Sequence, residues 1–342
     1  MSSLKPMIVS KPEQLLVNNL YLELSGLAPA QVHLKYEGFN AAGSIKMKSA
    51  LTLIDELEQQ GKLKPGSEII ESSSGNLGVA LAIICASRGY KFTCVTDLAC
   101  TEQARSAILA AGGNLIVVEQ RDANGGFLAT RLATIKDKCR NNPNLVWTNQ
   151  YASSSNVNAH YKYTAPEILS AFKQVDWLFV GAGTTGTLMG CIKYFSEHSA
   201  NTRIVAIDAK GSITFGHPKG IRHIPGIGTS RVPPICDHSA VKDVHLVAEP
   251  NTIAECHYWA KQGFMFGGST GSVLTGIRHY ADRIKASDTV VAISADGGDK
   301  YLKSVYNPQW VAERFGSLPE VIPYKNNNTF NDAQTKELDY EF

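Results

Sequence analysis

A membrane-spanning run is missing from this 342-residue sequence: its apolar stretches, such as Val79 to Ala86, fall far short of the ~20 residues a bilayer demands. An excess of either charge is missing too. With 33 Lys+Arg against 31 Asp+Glu the formal net charge is +2, so no global basic field gathers nucleic acid or an anionic lipid surface. The seven cysteines, at 85, 94, 100, 139, 191, 236 and 256, contain no C-x-x-C pair, and no two of the nine histidines are spaced H-x-x-x-H. A thiolate or imidazole metal site is therefore not expected, and cysteines in apolar surroundings such as Thr93-Cys94-Val95 read as buried free thiols rather than a disulfide framework. The opening MSSLKPMIVSKPEQLL lacks a continuous apolar core before a small-residue cleavage site, which makes a cytoplasmic location the expectation. What remains is a chain with 44% hydrophobic residues, enough for the cores of about two ordinary domains.

Short β-branched runs alternate with stretches of helical period from about residue 68 to 297. The clearest strands are Glu68 to Ile70, Lys91 to Val95, Asn114 to Val118, Leu145 to Thr148, Trp177 to Val180, Arg203 to Ile207, Val244 to Val247 and Thr289 to Ile293. This is an α/β pattern, and it predicts mostly parallel sheets covered on both faces. Leu51, Ile54 and Leu57 form the apolar stripe of one helix, and Ala104, Ile108 and Leu109 that of the next. Two segments break the rhythm: Lys210 to Pro234, with five Gly and four Pro, and a polar tail from about Leu318. The first is too long for an ordinary connection and invites a functional reading.

Four small-residue segments each run into a helix. In Asn40-Ala41-Ala42-Gly43-Ser44-Ile45-Lys46, Ser44 is the expected N-cap, which sets Lys46 in the first turn. The positive end of the helix dipole there disfavours an ammonium and eases access to the free amine. Glu71-Ser72-Ser73-Ser74-Gly75-Asn76-Leu77-Gly78 follows a strand and aims hydroxyls and backbone N–H groups at one point, a setting suited to a carboxylate or phosphate. Gly181-Ala182-Gly183-Thr184-Thr185-Gly186-Thr187 matches G-x-G-x-x-G, with Asp208 following Gly186 by 22 residues as a ribose-binding acid would. Three threonine hydroxyls in that loop argue instead for a single phosphate monoester. The last segment is Gly267-Gly268-Ser269-Thr270-Gly271-Ser272.

In order and spacing these segments resemble the cysteine synthase family of fold type II, tryptophan synthase β-like, pyridoxal 5'-phosphate enzymes. The likeness is carried by ESSSGNLGVALA, NGGFLATR, NQYA, IVAIDAKGS, PGIGTSRVP and FGGSTGS, and spans about residues 14 to 313. It implies two domains: a large cofactor-binding one from 1–48 and 155–320, and a small mobile one from 49–154, followed by the polar tail 321–342. It implies that Lys46 bonds the cofactor covalently, Asn76 its ring hydroxyl, and Ser269 its pyridine nitrogen. Gly183, Thr184, Thr185, Gly186 and Thr187 would cradle its phosphate, and Ser73, Ser74 and Gln150 the substrate α-carboxylate.

The resemblance also implies β-replacement on an activated serine through an aminoacrylate, by a homodimer that acts on small amino acids. It is strongest to the branch that uses O-phospho-L-serine and L-glutamate, in which Arg131 and Tyr151 match positions linked to the phosphate leaving group. Arg231, where sulfide-using relatives carry an apolar residue, is expected to hold carboxylates of the glutamate. The alternatives are a cysteine synthase with sulfide as nucleophile and, from the glycine motif alone, a nicotinamide oxidoreductase. Departures stand at Met47-Lys48, where the family has Asp-Arg, at Ala41-Ala42, where a Pro is usual, and at Gly183, where the glutamate-adding branch has a serine.

Overall fold

A computed structural model describes residues 8–122 and 125–325. All eight expected strands are present, and two more precede them. The ten are β1 (Tyr21–Leu24), β2 (Val32–Tyr36), β3 (Glu68–Ser72), β4 (Lys91–Asp97), β5 (Asn114–Val118), β6 (Leu145–Trp147), β7 (Trp177–Gly181), β8 (Arg203–Ala209), β9 (Asp243–Val247) and β10 (Val290–Ser294). They form one sheet of order β1-β2-β10-β7-β8-β9 and another of order β5-β4-β3-β6. Only the β1–β2 pair is antiparallel. Helices cover both faces, so central strands such as β10 are buried along their whole length, which is why they read as unbroken apolar runs.

Both sheets contain a reversal of winding. After β3 the chain moves outward through β4 and β5, then returns to the other side of β3 as β6. After β7 it moves outward through β8 and β9, then returns to the other side of β7 as β10. Crevices open at the carboxyl ends of strands where the winding reverses, and α/β proteins place ligands there. Those ends carry the segments beginning at Ser73, Thr148, Ala182 and Ala295.

Helix α1 (Lys46–Gln59) departs from the sequence reading at its start. Its N-cap is Ile45, without a side-chain cap bond, and the Ser44 hydroxyl is buried without a partner. Ser44 is held through its backbone instead, in a bridge to Asp296, and the Ile45 N–H donates to the Ala295 carbonyl at 2.8 Å. Met47 is fully buried in the core around the four-stranded sheet. Lys48 enters a buried charge cluster, 2.8 Å from Glu37 and 2.5 Å from Glu167, with Lys35 of β2 also 2.8 Å from Glu167. The two residues that depart from the family pattern thus pin α1 to both sheets. Leu109, expected in a core, is exposed, whereas Ile108 is fully buried. All seven cysteines are free, five of them buried. Residues 210–242 contain no helix or strand. The tail beyond residue 325 lies outside the described residues. No described helix is long and apolar enough to cross a membrane.

Candidate active site

The turn before α1 is organised by Asn40, whose side-chain oxygen accepts from Ala42 at 3.0 Å and whose amide donates to Ser44 O at 2.9 Å. That turn lies on the end of β10, and Lys46 follows it at the first position of α1, near enough to His160 for its charge to act on that ring. Lys46 makes no hydrogen bond or ion pair among the described residues, and burial lowers its pKa to about 8. The expected depression is present, with desolvation as its cause rather than the helix dipole. The result is an amine that loses its proton far more readily than an ordinary lysine and has no competing partner.

Beside it, residues 181–187 lead into α7 (Gly186–His198). Thr185 adopts a left-handed φ of 66°, and a Cβ on Gly183 would stand 2.5 Å from the Gly226 carbonyl oxygen. A Cβ on Gly186 would meet the Asn156 carboxamide, also at 2.5 Å. The backbone is therefore pressed into a shape that only these glycines allow, with N–H groups at the start of α7. Asn156 of α5 (Ser154–Ala159) donates to the Thr184 hydroxyl at 2.9 Å and to the Gln150 carbonyl at 3.0 Å. Thr187 and Ser49 both meet His160 Nε2, at 3.1 and 3.2 Å, while its Nδ1 meets Thr164 at 3.0 Å. Burial, then the charges of Lys46 and Lys48, push the His160 pKa well down, so the ring is a neutral strut between the loop and α1.

The crevice of the four-stranded sheet is shaped by Glu71, which is fully buried. Its carboxylate accepts from Thr148, from Gln150 N at 3.0 Å and from Ser72 N at 2.6 Å, and burial raises its pKa. Gln150 is buried and donates to the Ser72 carbonyl at 3.0 Å. The Ser73 hydroxyl accepts from Gly75 N and Gly78 N, at 3.2 and 2.9 Å, and so shapes the entry to α2 (Asn76–Arg88). Ser74 is half-buried with no hydrogen bond among the described residues.

Asn76 joins the two crevices. It donates to Asp296 at 2.7 Å and accepts from Lys300 at 2.8 Å, and Lys300 also donates to the carbonyls of Ala42 and Gly43 in the turn before Lys46. Asp296 takes a further 2.7 Å bond from Tyr301, and burial raises its pKa. Ser269, near the start of α9 (Gly268–Tyr280), is buried, and its Cβ lies 3.5 Å from where a Gly226 Cβ would stand. Arg131, on α4 (Leu128–Asn141), is buried with Nε 3.2 Å from Asp97. It is also hydrogen-bonded to Tyr151, whose hydroxyl burial pushes up. Arg231 is exposed and, with Tyr151, Lys136 and Trp147, lines a cavity of about 150 Å³. A cavity of about 420 Å³ between β9, α8 (Glu249–Ala260), α9 and residues 319–322 shares no lining residue with this site.

Asp208, the acid of the dinucleotide reading, is fully buried at the end of β8, and its N–H-bonded carboxylate faces Ala209 at 2.8 Å. Sequence reading missed Asn156, His160, Glu71, Asp296 and Lys300. A signal exists for the first two, because the polar residues Asn156, His160 and Thr164 recur every four positions on one helical face.

Over residues 17–296 the sequence matches the family described as pyridoxal-phosphate dependent enzyme. The chain is similar to a crystal structure of O-ureido-L-serine synthase, at 27% identity and a TM-score of 0.79, covering 88% of this chain and 96% of that one. It is similar to a hydrogen sulfide-producing enzyme from Fusobacterium nucleatum, at 26% identity and a TM-score of 0.81, covering 86% and 100%. It shares the fold of an O-acetylserine dependent cystathionine β-synthase from Helicobacter pylori, at 23% identity and a TM-score of 0.82, covering 87% and 99%. The residues present fit pyridoxal phosphate: an unpartnered amine of lowered pKa stands beside a loop that a Cβ would fill and that ends in a helix N-terminus with three threonine hydroxyls.

Proposed function

The chain belongs to the pyridoxal-phosphate dependent enzymes, and from that premise we propose that it joins O-phospho-L-serine to the amine of L-glutamate, giving N-(2-amino-2-carboxyethyl)-L-glutamate. Its cofactor, when bound, acidifies the α-carbon of the amino acid attached to it, so that a β-substituent leaves and a nucleophile adds in its place. Lys46 Nζ, with a pKa of about 8, takes the α-proton and later returns it. Ser73, Ser74 and Gln150 hold the α-carboxylate in the crevice that Glu71 shapes. Asn76 and Ser269 meet the ring hydroxyl and ring nitrogen, and residues 183–187 hold the phosphate.

The observation that carries the choice of substrates is the setting of Tyr151, bonded to buried Arg131 on one side and sharing a cavity with Arg231 on the other. Arg131 and Tyr151 suit a phosphate leaving group, and Arg231 a carboxylate of the acceptor. Gly183 favours a second reading, with sulfide as nucleophile and O-acetyl- or O-phosphoserine as donor. The serine found there in the glutamate-adding branch would press on Gly226 O, so phosphate recognition falls to Arg131 and Tyr151 alone.

In the proposed reading residues 1–48 and 155–320 hold the cofactor, residues 49–154 close over the substrate, and the chain acts in the cytoplasm as a homodimer. The product would serve as a precursor of 2,3-diaminopropionate in siderophore assembly. The test is to supply O-phosphoserine with glutamate, sulfide or cysteine and to identify the products by mass. The glutamate adduct is expected, and S-substituted products without it would favour the second reading.

A further inference from the structure

The irregular segment between β8 and β9 turns one arginine outward and one inward. Arg231 is exposed. Arg222 is folded under the chain: its Nη1 donates to the Ile227 carbonyl at 3.1 Å and stands 2.6 Å from where a Gly228 Cβ would be. The stretch it rests on is packed against the cofactor cradle. Gly228 N donates to Ala182 O at 2.8 Å, Ile227 touches Gly181, and Gly226 lies over Gly183 and Ser269.

Three other arginines that enter the interior have a carboxylate in contact, whereas Arg105 donates to the Asp97 backbone carbonyl at 2.9 Å. Arg88 has Asp55 at 2.7 Å, Arg131 has Asp97 at 3.2 Å, and Arg278 has Glu255 at 2.8 Å. Arg222 has none within contact distance among the described residues, and its buried Nε has no acceptor. Asp208 and Glu249 act on it only as more distant charges. Asp208 is itself bonded to Ala209 N and Ser212, and its Oδ2 is buried without a partner. A desolvated guanidinium with a free hydrogen-bonding edge is costly unless an anion completes it.

We infer that Arg222 is the inner carboxylate anchor of the acceptor subsite, which holds an amino-acid nucleophile by one carboxylate beside the cradle while Arg231 meets a second at the mouth. This rests on the reading above that the acceptor is a carboxylate-bearing amine. The planar fork of Arg222 matches a carboxylate in two parallel bonds, which sulfide cannot use. A dicarboxylate spanning Arg222 and Arg231 would be selected over a monocarboxylate.

The holoenzyme, with O-phosphoserine as donor, is assayed against L-glutamate and sulfide. Arg222→Gln should raise KM for glutamate at least tenfold and lower the glutamate-to-sulfide ratio of kcat/KM at least tenfold, while KM for the donor moves less than twofold. Arg222→Lys keeps the charge but loses the fork, and should lower the ratio by an intermediate factor. An unchanged ratio in both variants, or equal rises in the donor and acceptor KM values, would overturn the inference. If Arg222→Gln lacks the ~410 nm absorbance of bound cofactor, Arg222→Lys decides alone, by whether the ratio falls or stays. If the parent enzyme forms no glutamate adduct, the functional reading fails. Arg222 is then judged by the same ratio with L-homocysteine or L-cysteine against sulfide, where an unchanged ratio again overturns it.

Discussion

Replacing Lys48 by Met tests whether the departure from the family pattern after Lys46 is a structural device. Lys48 Nζ contacts Glu37 at 2.8 Å and Glu167 at 2.5 Å, and these three side chains are 2%, 3% and 12% exposed, so solvent cannot repair the loss. Methionine fills nearly the same volume, which isolates the charge. Removing one partner from a buried ion pair costs about 3–5 kcal/mol because the opposite charge is left uncompensated. Here Lys35 remains 2.8 Å from Glu167 and 3.4 Å from Glu37 and offsets part of that cost, so the lower end, about 3 kcal/mol, is the expectation. Since Lys48 lies two residues from Lys46 on α1, the variant should also hold its cofactor more weakly. Urea unfolding of the apoprotein gives the first quantity, and titration with pyridoxal phosphate followed at ~410 nm gives the second. A destabilisation under about 1 kcal/mol would refute the reasoning, because it would equate this cluster with a solvated surface pair.

Replacing Thr185 and Thr187 together by Val should weaken cofactor retention far more than folding, at about 1.5–3 kcal/mol per hydroxyl lost from a charged phosphate. Equilibrium dialysis checks it, and parent-like retention would remove the loop from the phosphate site. Arg131→Ala should raise KM for O-phosphoserine more than for O-acetylserine, and equal losses would make the arginine structural, through its Asp97 contact. Capture of pyridoxal phosphate by the apoprotein should accelerate as pH rises through about 8 and level off above it, because only unprotonated Lys46 reacts. Stopped-flow rates would show the inflection near the ordinary lysine value of 10.5 if burial did not set this pKa.

The eight strands from Glu68 onward were legible because parallel strands buried on both faces leave continuous apolar runs. β1 and β2 were not, since β2 carries His33 and Lys35 into the middle of a sheet, and the charge that makes Lys35 tolerable there belongs to Glu167, far along the chain. The same distance hid much of the site. Asn76 was readable in its motif, but its partners Asp296 and Lys300 lie 220 and 224 positions away. Local chemistry correctly placed Lys46 at a helix start and misassigned Ser44 as its cap, because the backbone of Ser44 is claimed by Asp296. Nothing in the composition of residues 210–234 tells which arginine turns inward, since Arg222 is held there by the Ile227 carbonyl and by its close approach to Gly228.

The central claim is that Lys46 bonds the cofactor. Borohydride reduction of the purified holoenzyme, followed by peptide mapping, tests it most directly. The account predicts a single pyridoxyl-modified peptide carrying Lys46, and a Lys46→Ala protein that lacks both the modification and turnover. Modification of another lysine, with Lys46 untouched and turnover retained in the variant, would contradict it.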